Sequence, residues 1–232
     1  MDKTFAGSMA AIHDIRDGAV IMTGGFGLCG IPENLIRAVL EKGVKDLTII
    51  SNNIGSIDLK KGGAFGVALL FKNRQVRKFV GSFPGPVARL DWFLDMYEKH
   101  EVTVEIMPQG TLNERIRLAV AGLGGVYTPV GVGTELAVGK ETRVIDGKEY
   151  LLELPLKADF ALVKAHTGDR MGNLVYRRTA RNYNAVMAGA AAVTIAEVEN
   201  LVEPGAIDPD QVHTPGIFVQ RVVKGELFEK RV

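Results

Sequence analysis

Three amide side chains are the residues of this sequence best suited to chemistry. Asn52 and Asn53 come directly after the apolar run LTIIS (47–51), and Gln109 comes shortly after the apolar run VTVEIM (102–107). An uncharged amide between a strand and a helix is a good hydrogen-bond donor to an oxyanion that develops during a reaction. Gln109 is therefore the candidate catalytic donor, whereas Asn52 and Asn53 can equally bind a ligand or cap the next turn.

A glycine-rich bend is the second feature that points to a ligand. The bend GGFGLCG (24–30) follows the apolar run AVIMT (19–23) and precedes a helical segment opened by Pro32. Glycines lack the Cβ atoms that block close approach, and a helix N-terminus offers unpaired N–H groups and partial positive charge. The substrate-binding residues expected in this bend are Gly24, Gly25, Phe26, Gly27 and Gly30.

The spacing of these residues disfavours two common nucleotide sites. Gly25, Gly27 and Gly30 give a formal Gly-x-Gly-x-x-Gly match, but SNN (51–53) stands where a dinucleotide site would have an acid. No Gly-Lys-Ser or Gly-Lys-Thr sequence is present, which excludes a phosphate loop. The sequence also lacks metal-ligand spacing and a defensible Ser/His/Asp order, so we expect no metal.

The overall composition is that of an ordinary globular protein. The 232 residues carry 28 Lys plus Arg against 27 Asp plus Glu, a net charge of +1, which argues against nucleic-acid or membrane partners. The single cysteine, Cys29, cannot form an intrachain disulfide, and we expect a small buried side chain rather than a nucleophile. The N-terminus lacks the apolar stretch of a signal peptide, so we expect a cytoplasmic protein.

The elements that must position the candidate residues alternate between strands and helices. Helical spacing occurs at 35–40, which Gly43 should end, at 89–99 and at 111–121, where Thr111 and Glu114 form a candidate capping box. Short β-branched runs typical of buried strands lie at 19–23, 47–51, 76–82, 102–107, 160–166, 191–198 and 217–223. This alternation predicts an α/β fold with a mainly parallel sheet covered by helices on both sides.

One segment departs from this alternation. ETRVIDGKEYLLELP (141–155) has two alternating runs joined by Asp146-Gly147, which predicts a small antiparallel hairpin excursion. The preceding stretch, 122–140, has six glycines and no clear period, which predicts a long irregular loop. Because the sequence shows no internal repeat and no low-complexity linker, we expect one domain over 1–232.

The motifs of the chain, taken in order, resemble the α subunits of family I CoA-transferases. The first is DGAVIMTGGFGLCGIP (17–32), with an Asp-Gly start, an apolar strand, Gly-Gly-Phe and a later Gly-x-Pro. The others are SNN (51–53), PQGTLNERIR (108–117), YTPVGVGT (127–134), GKETRVIDGKEYLLE (139–153), ADFALVKAH (158–166), GDRMGNLVYRRTARNYN (168–184) and HTPGIFVQRVVKG (213–225). The resemblance covers nearly the whole chain and is strongest to the 3-oxoacid branch of the family.

The resemblance implies a reaction that this chain does not complete alone. In the family, the acyl-CoA thioester is attacked by a glutamate of the β subunit, which later carries CoA as a glutamyl thioester. That glutamate lies near a Glu-Asn-Gly motif, whereas here Glu33-Asn34 and Glu199-Asn200 are both followed by leucine. The resemblance therefore implies a separate β subunit, in an α2β2 assembly, with a CoA thioester as substrate and no permanently bound cofactor.

The same resemblance gives roles to the residues quoted above. Gln109 would donate to the oxyanion formed at the thioester or anhydride carbonyl. Asn52 and Asn53 would hold the substrate carboxylate or orient the glutamate. The pocket that holds the thioester would be lined by Gly24, Gly25 and Phe26.

The motifs that bear on the identity of the exchanged acids are divided between two branches of the family. Succinyl-CoA as donor and acetoacetate as favoured acceptor fit GGFGLCGIPE (24–33) and KGELFEKRV (224–232), whereas SFPGP (82–86) and 141–166 resemble the 3-oxoadipate enzymes. The second carboxylate of 3-oxoadipate would require a cation; Arg89 is close to the divergent loop, but we expect it to be a solvated helix residue instead. A sugar-phosphate isomerase of related fold and a non-catalytic ligand-sensing module are more distant alternatives; the first needs acid–base groups, and the second a DNA-binding segment.

Overall fold

The computed structural model describes residues 1–57 and 64–226. Within them, the strands are β1 (Val20–Thr23), β2 (Leu47–Ile50), β3 (Ser56–Ile57), β4 (Ala64–Phe65), β5 (Val76–Gly81), β6 (Thr103–Ile106), β7 (Val126–Thr128), β8 (Thr142–Ile145), β9 (Lys148–Glu153), β10 (Ala158–Asp169), β11 (Leu174–Val175), β12 (Ala191–Val202) and β13 (Arg221–Lys224). The helices are α1 (Ser8–Ala11), α2 (Glu33–Lys42), α3 (Ala68–Lys72), α4 (Asp91–Glu98), α5 (Gln109–Ala121) and α6 (Asn182–Met187).

A mainly parallel sheet forms the centre of the structure, as the alternation of strands and helices predicts. Its order is β13-β12-β10-β1-β2-β5-β6, and all of these pairs are parallel. The short strand β11 pairs antiparallel with β10. The chain builds outward from β1 through β2, β5 and β6, and then returns to the other side of β1 with β10. In such sheets, ligands bind beyond the carboxyl ends of the strands where the order reverses.

Helices cover both faces of this sheet. Neighbouring strand residues belong to different cores: Ile49 packs in the cluster that contains residues of α2, α3 and α4, whereas Ile50 packs in the cluster that contains residues of α5 and α6. The same alternation separates Ile21 from Met22 on β1. Strands that are buried on both faces read as continuous apolar runs, which explains why the sequence pattern is strongest here.

The predicted bounds of the helices are correct at some ends and wrong at others. Helix α2 ends, as predicted, at Gly43, which has the left-handed φ of 74° that favours glycine. Helix α5 begins at Gln109, directly after Pro108, so the capping box predicted from Thr111 and Glu114 is wrong. Thr111 is the third helical residue and is buried, and Glu114 instead pairs with Arg117. Proline has a fixed φ that suits the entry to a helix, so the helix starts earlier in the chain than predicted.

The antiparallel excursion is confirmed and is larger than predicted. Strands β8 and β9 pair around Asp146 and Gly147, which have φ values of 49° and 74°. Strand β7 pairs with the other edge of β9, so the stretch 122–140 is not irregular throughout. A short strand of this kind, with no clear period of its own, gains its order from the hairpin beside it.

Two other predicted segments start later than the sequence suggests. The strand expected at 217–223 begins only at Arg221, because Gly216–Phe218 form a 3-10 turn. The helix expected at 89–99 begins at Asp91, after the 3-10 turn Pro86–Arg89. The segment KGELFEKRV (224–232) lies mostly outside the described residues. In the described part of the chain, no helix has the length and apolar character needed to cross a membrane.

Candidate active site

The carboxyl ends of four adjacent strands bring the predicted amides and the glycine bend to one edge of the sheet. Strand β1 is followed by Gly24, β2 by Asn52, β5 by Ser82 and β6 by Gln109. Parallel strands all end at the same edge, so residues that are far apart in sequence become neighbours there. This edge is the candidate active site.

Asn52 connects three of these strand ends through its side-chain oxygen. Its Oδ1 accepts one hydrogen bond of 2.7 Å from Nε2 of Gln109 and another of 2.9 Å from Oγ of Ser82. Its backbone oxygen accepts from the amides of Ser82 and Phe83, at 3.2 and 3.0 Å. Asn52 is only 3% exposed. Its Oδ1 is therefore committed to orienting other protein groups.

Both the backbone oxygen and the side-chain amide of Gln109 form hydrogen bonds within the protein, and the side chain still reaches solvent. It is the first residue of α5, and its backbone oxygen accepts a 3.1 Å hydrogen bond from the hydroxyl of Tyr183 on α6. A glutamine amide has two donor hydrogens, and the bond to Asn52 uses one of them. Gln109 is exposed, and the described residues provide no second partner for Nε2. The remaining donor is available to a ligand at the N-terminus of α5.

Asn53 shapes the turn that follows β2. Its Oδ1 accepts a 3.1 Å hydrogen bond from the backbone amide of Gly55, and its backbone oxygen accepts from Oγ of Ser51 at 2.5 Å. A short parallel bridge also pairs Asn53 with Phe83. These contacts are those of a turn-forming asparagine, the second of the two interpretations that the sequence leaves open.

Two glycines of the bend are required by a buried asparagine. A Cβ at Gly24 would lie 1.9 Å from Oδ1 of Asn184, and a Cβ at Gly30 would lie 2.7 Å from its Nδ2 and 2.8 Å from the backbone oxygen of Ala180. Neither distance is compatible with any side chain larger than hydrogen. The bend is thus glycine-rich partly because another segment of the protein approaches it, in addition to any ligand.

Asn184 is a structural residue of the site that the sequence analysis did not single out. It is fully buried on α6, and its Oδ1 accepts a 2.8 Å hydrogen bond from the backbone amide of Lys164 on β10. Its Nδ2 donates to the backbone oxygens of Gly30 and Ala180, both at 2.9 Å. Asn184 therefore ties α6 to the bend and to β10. Its only signal in the sequence is its place in the family motif that ends RNYN.

The remaining residues of the bend differ in exposure: Gly25 is buried, whereas Phe26 reaches the surface. Phe26 is 48% exposed and pairs with Cys29 through two backbone hydrogen bonds of 3.0 Å. Gly25 and Gly27 have φ values of 114° and 57°, and a Cβ at Gly27 would meet open space. Cys29 is half-buried rather than fully buried as expected. The tight pairing of Phe26 with Cys29 holds the aromatic ring at the surface.

A cleft of about 410 Å³ lies between the bend and the first turn of α5. In the described part of the chain, the residues that line it are uncharged: Phe26, Gln109, Gly110, Asn113, Asn182 and Tyr183. A larger cavity of about 550 Å³, between α5 and β7, shares Gly110 and Asn113 with it. The cleft thus offers amide and hydroxyl groups beside an aromatic ring, a surface suited to stabilising an anionic oxygen without a competing negative charge.

Three ionisable groups near this edge, His166, Lys164 and Glu199, are paired with one another. His166, which ends the predicted strand 160–166, has its Nδ1 2.8 Å from a carboxylate oxygen of Glu199. Nζ of Lys164 lies 3.3 Å from the other oxygen of that carboxylate. Burial acts to raise the pKa of Glu199, but the His166 contact and the Lys164 charge hold it below its usual value. Glu199 is therefore part of an ion-pair group with Lys164 and His166.

Comparison with known proteins defines the class to which this fold and site belong. The sequence profile of the family described as Coenzyme A transferase matches residues 8–225. The chain therefore belongs to the coenzyme A transferase family, in agreement with the resemblance of its motifs.

Particular relatives of known name cover almost the whole chain. It is 47% identical over 232 residues to the A subunit of a probable succinyl-CoA:3-ketoacid coenzyme A transferase of Bacillus subtilis, covering 100% of this chain and 94% of the relative. It is 51% identical over 223 residues to the A subunit of a 3-oxoadipate CoA-transferase of Acinetobacter baylyi, covering 96% of this chain and 95% of the relative.

A solved structure has the same fold in a chain about twice as long. The acyl-CoA transferase YdiF of Escherichia coli O157:H7 superimposes with a TM-score of 0.84 at 23% identity, over 97% of this chain and 47% of that one. The present chain thus spans about half the length of that relative, and at this identity the likeness shows the fold alone.

Proposed function

We propose that this chain is the α subunit of a CoA-transferase that moves CoA from succinyl-CoA to a 3-oxo acid. The observation that carries the proposal is the hydrogen bond from Gln109 to Asn52, which uses one amide hydrogen of Gln109 and leaves the other available in a residue that lines the cleft. A preorganised donor in such a cleft stabilises the oxyanion of acyl transfer. Membership of the coenzyme A transferase family supports this chemistry.

In the proposed reaction, the chain positions groups while a second chain supplies the nucleophile. A glutamate oxygen bonds to the thioester carbonyl carbon, the C–S bond breaks, and CoA thiolate leaves behind a mixed anhydride. The thiolate then attacks the glutamyl carbonyl and expels the donor acid, which leaves a glutamyl-CoA thioester. The acceptor acid reverses both steps. Gln109 donates to the carbonyl oxygen each time that it becomes negative.

The partner that supplies the glutamate is proposed to be a β subunit, in an α2β2 assembly. Two observations support a partner. The relatives are named as one subunit of their enzymes, and the Escherichia coli relative is about twice as long as this chain. We propose further that the CoA thioester is a substrate, that the complex holds no permanent cofactor, and that it works in the cytoplasm.

Acetoacetate is the proposed acceptor acid. A second candidate, 3-oxoadipate, is supported by a contact of the loop that resembles the 3-oxoadipate enzymes. Ser82 of the loop SFPGP (82–86) bonds directly to Asn52, so the loop that resembles the 3-oxoadipate branch touches the candidate site. The relative from Acinetobacter baylyi is also named for 3-oxoadipate. Arg89, which the second carboxylate of that acid could use, is exposed at the end of the 3-10 turn that follows the loop.

The test is to co-express the chain with a second polypeptide that carries a Glu-Asn-Gly motif and to assay succinyl-CoA with acetoacetate and with 3-oxoadipate in parallel. We expect the complex to form the CoA thioester of the acceptor acid and the chain alone to form none. Borohydride added after succinyl-CoA should abolish activity by reducing the glutamyl thioester. Transfer by the purified chain alone, or no transfer to either acid by the complex, would contradict the proposal.

A further inference from the structure

The segment between β10 and β12 carries an uncompensated cluster of positive charge. Residues 170–196 contain four arginines and no aspartate or glutamate. Arg170 is paired with Glu203 and Asp2, but no carboxylate partner for the other three, Arg177, Arg178 and Arg181, is found among the described residues. All three are exposed. We call these three residues the arginine cluster.

The arginine cluster lies on a short segment that is held against the candidate active site. Arg181 directly precedes Asn182 and Tyr183, which both line the cleft with Gln109. The Nδ2 atom of Asn182 donates a 3.1 Å hydrogen bond to the backbone oxygen of Cys29 in the glycine bend. This contact between α6 and the bend places Arg181 beside the cleft, and Arg177 and Arg178 precede Arg181 by four and three residues.

The backbone between Arg178 and Arg181 is packed closely against the glycine bend. A Cβ at Gly30 would lie 2.8 Å from the backbone oxygen of Ala180, the residue directly before Arg181. Nδ2 of Asn184 also donates to that oxygen at 2.9 Å. Arg178 has a φ of 51°, a conformation that is uncommon for residues other than glycine and that concentrates at ligand sites.

The positive charge of Arg181 affects the pKa of a neighbouring histidine. The pKa of His213 is lowered first by burial and then by the charge of Arg181. Among the described residues, none that lines the cleft is charged, whereas every substrate of the proposed reaction is an anion. Arginine presents several donors in a planar fork that matches carboxylate and phosphate oxygens.

We propose that Arg177, Arg178 and Arg181 form an anion-binding site at the rim of the cleft, which holds an oxyanion group of the substrate that reacts at Gln109. This inference rests on the proposed function. The same chemistry fits two sources, the phosphate groups of the CoA moiety and the far carboxylate of the exchanged acid. The cluster should also affect the rate at which substrates associate with the protein. A cluster of this kind attracts anionic substrates at a distance, and this attraction is weaker at high salt.

The experiment uses the complex that the chain forms with its β subunit, and compares it with the triple variant R177Q/R178Q/R181Q. The matched control is R16Q/K45Q/R77Q, which removes three exposed positive charges at the opposite edge of the sheet, before or at the start of β1, β2 and β5. The substrates are succinyl-CoA and succinyl-pantetheine, which lacks the phosphates, each with acetoacetate. The direct binding of free CoA is measured by calorimetry.

We expect the triple variant to raise KM for succinyl-CoA by at least about tenfold relative to the control, with a smaller effect on kcat. If the phosphates are bound, KM for succinyl-pantetheine stays at the control value and CoA binding weakens by the same factor. If the carboxylate is bound, KM rises for both thioesters while CoA binding is unchanged. The salt dependence of KM should also be weaker in the variant.

The inference would be overturned if the triple variant forms an active complex whose KM for both thioesters equals that of the control and whose CoA binding is unchanged. A wild-type complex that transfers no CoA contradicts the proposed function instead, so the two failures are distinguishable. If the triple variant does not fold, the single variants R177Q and R178Q are compared with R16Q, and values equal to that control again overturn the inference.

Discussion

The Nε2 atom of Gln109 donates a 2.7 Å hydrogen bond to Oδ1 of Asn52, a residue 57 positions earlier in the chain. Because Asn52 is buried and also accepts from Ser82, its amide has a fixed orientation. The direction of the second Gln109 hydrogen is therefore set by the ends of β2 and β5 as well as by its own helix. A donor held in this way loses little entropy when charge develops beside it.

Replacement of Gln109 by alanine should lower kcat of the assembled complex by about a hundredfold, because one oxyanion donor contributes roughly 3 kcal/mol to the barrier. Gln211→Ala is the matched control, since Gln211 is exposed on a 3-10 turn outside the cleft. Association of the two subunits, measured by size-exclusion chromatography, should be unchanged in both variants. Normal turnover by the Gln109 variant would remove this residue from the mechanism.

Replacement of Asn52 by alanine should lower kcat through Gln109 rather than through lost substrate contact. Oδ1 of Asn52 is occupied by two protein donors, so its removal frees the Gln109 amide to rotate. The double variant Asn52→Ala/Gln109→Ala should therefore be no slower than Gln109→Ala alone, because residues that act as a unit are not additive.

A different result is expected if Asn52 instead binds the substrate carboxylate. In that case the two losses add, and Asn52→Ala raises KM for the acid. Ser82→Ala, which removes only one of the two donors to Oδ1, should give a smaller fall in kcat, and Ser82→Thr should restore it.

The sequence predicts those parts of the structure that have local signals. The buried strands, the stop at Gly43 and the hairpin at Asp146-Gly147 each follow from residues that lie next to one another. The meeting of Asn52 with Gln109 also follows, because parallel strands place their carboxyl ends at one edge. Fold class and candidate site are therefore both accessible from pattern and topology.

The contacts that the sequence does not predict are those between distant segments. Asn184 lies 154 residues after Gly30, whose oxygen it binds, and no local pattern links the two. The glycines of the bend are explained equally well, from sequence alone, by a ligand or by a close protein neighbour. Similarly, the apolar run at 217–223 is typical of a strand, but its first part forms a turn at Gly216, where a Cβ would lie 2.4 Å from the oxygen of Met171.

Replacement of Gly24 by alanine should destabilise the chain by about 2–3 kcal/mol, the effect of inserting an atom into a packed site. The new Cβ would lie 1.9 Å from Oδ1 of Asn184. Gly27→Ala is the control: its Cβ meets open space, so it reports only the backbone strain at a φ of 57°, about 1 kcal/mol. Urea unfolding of the purified chain measures both.

A second variant separates this clash from a general effect on the bend. In Asn184→Ala, the side chain that opposes Gly24 is shortened, so Gly24→Ala added to it should cost much less than in the wild type. An unchanged cost in that background, or a Gly24 variant as stable as the wild type, would mean that the two residues are not packed as described.

Glu197 should make the chain less stable as the pH rises from 4.5 to 7. Its carboxylate is fully buried at the N-terminus of α2, where it accepts hydrogen bonds of 2.9 and 3.1 Å from the backbone amides of Asn34 and Leu35. Burial raises its pKa from 4.5 to about 7, although the hydrogen bonds with Asn34 and Leu35 and the charge of Lys164 oppose this. The folded state therefore holds a proton that the unfolded chain has lost in this pH range.

The contribution of this proton to the free energy of unfolding is complete below pH 4.5, falls between pH 4.5 and 7, and is absent above pH 7. Its total is about 3 kcal/mol. Urea unfolding at half-unit steps of pH should show the slope in the wild type and not in Glu197→Gln, which keeps an acceptor for the helix amides. Glu199→Gln is the control two residues along the strand, where the pKa is lowered, so the wild-type slope between pH 4.5 and 7 should persist. Equal slopes in the wild type and the Glu197 variant would show that this carboxyl is ionised in the folded protein, with the N-terminus of α2 and Lys164 outweighing its burial.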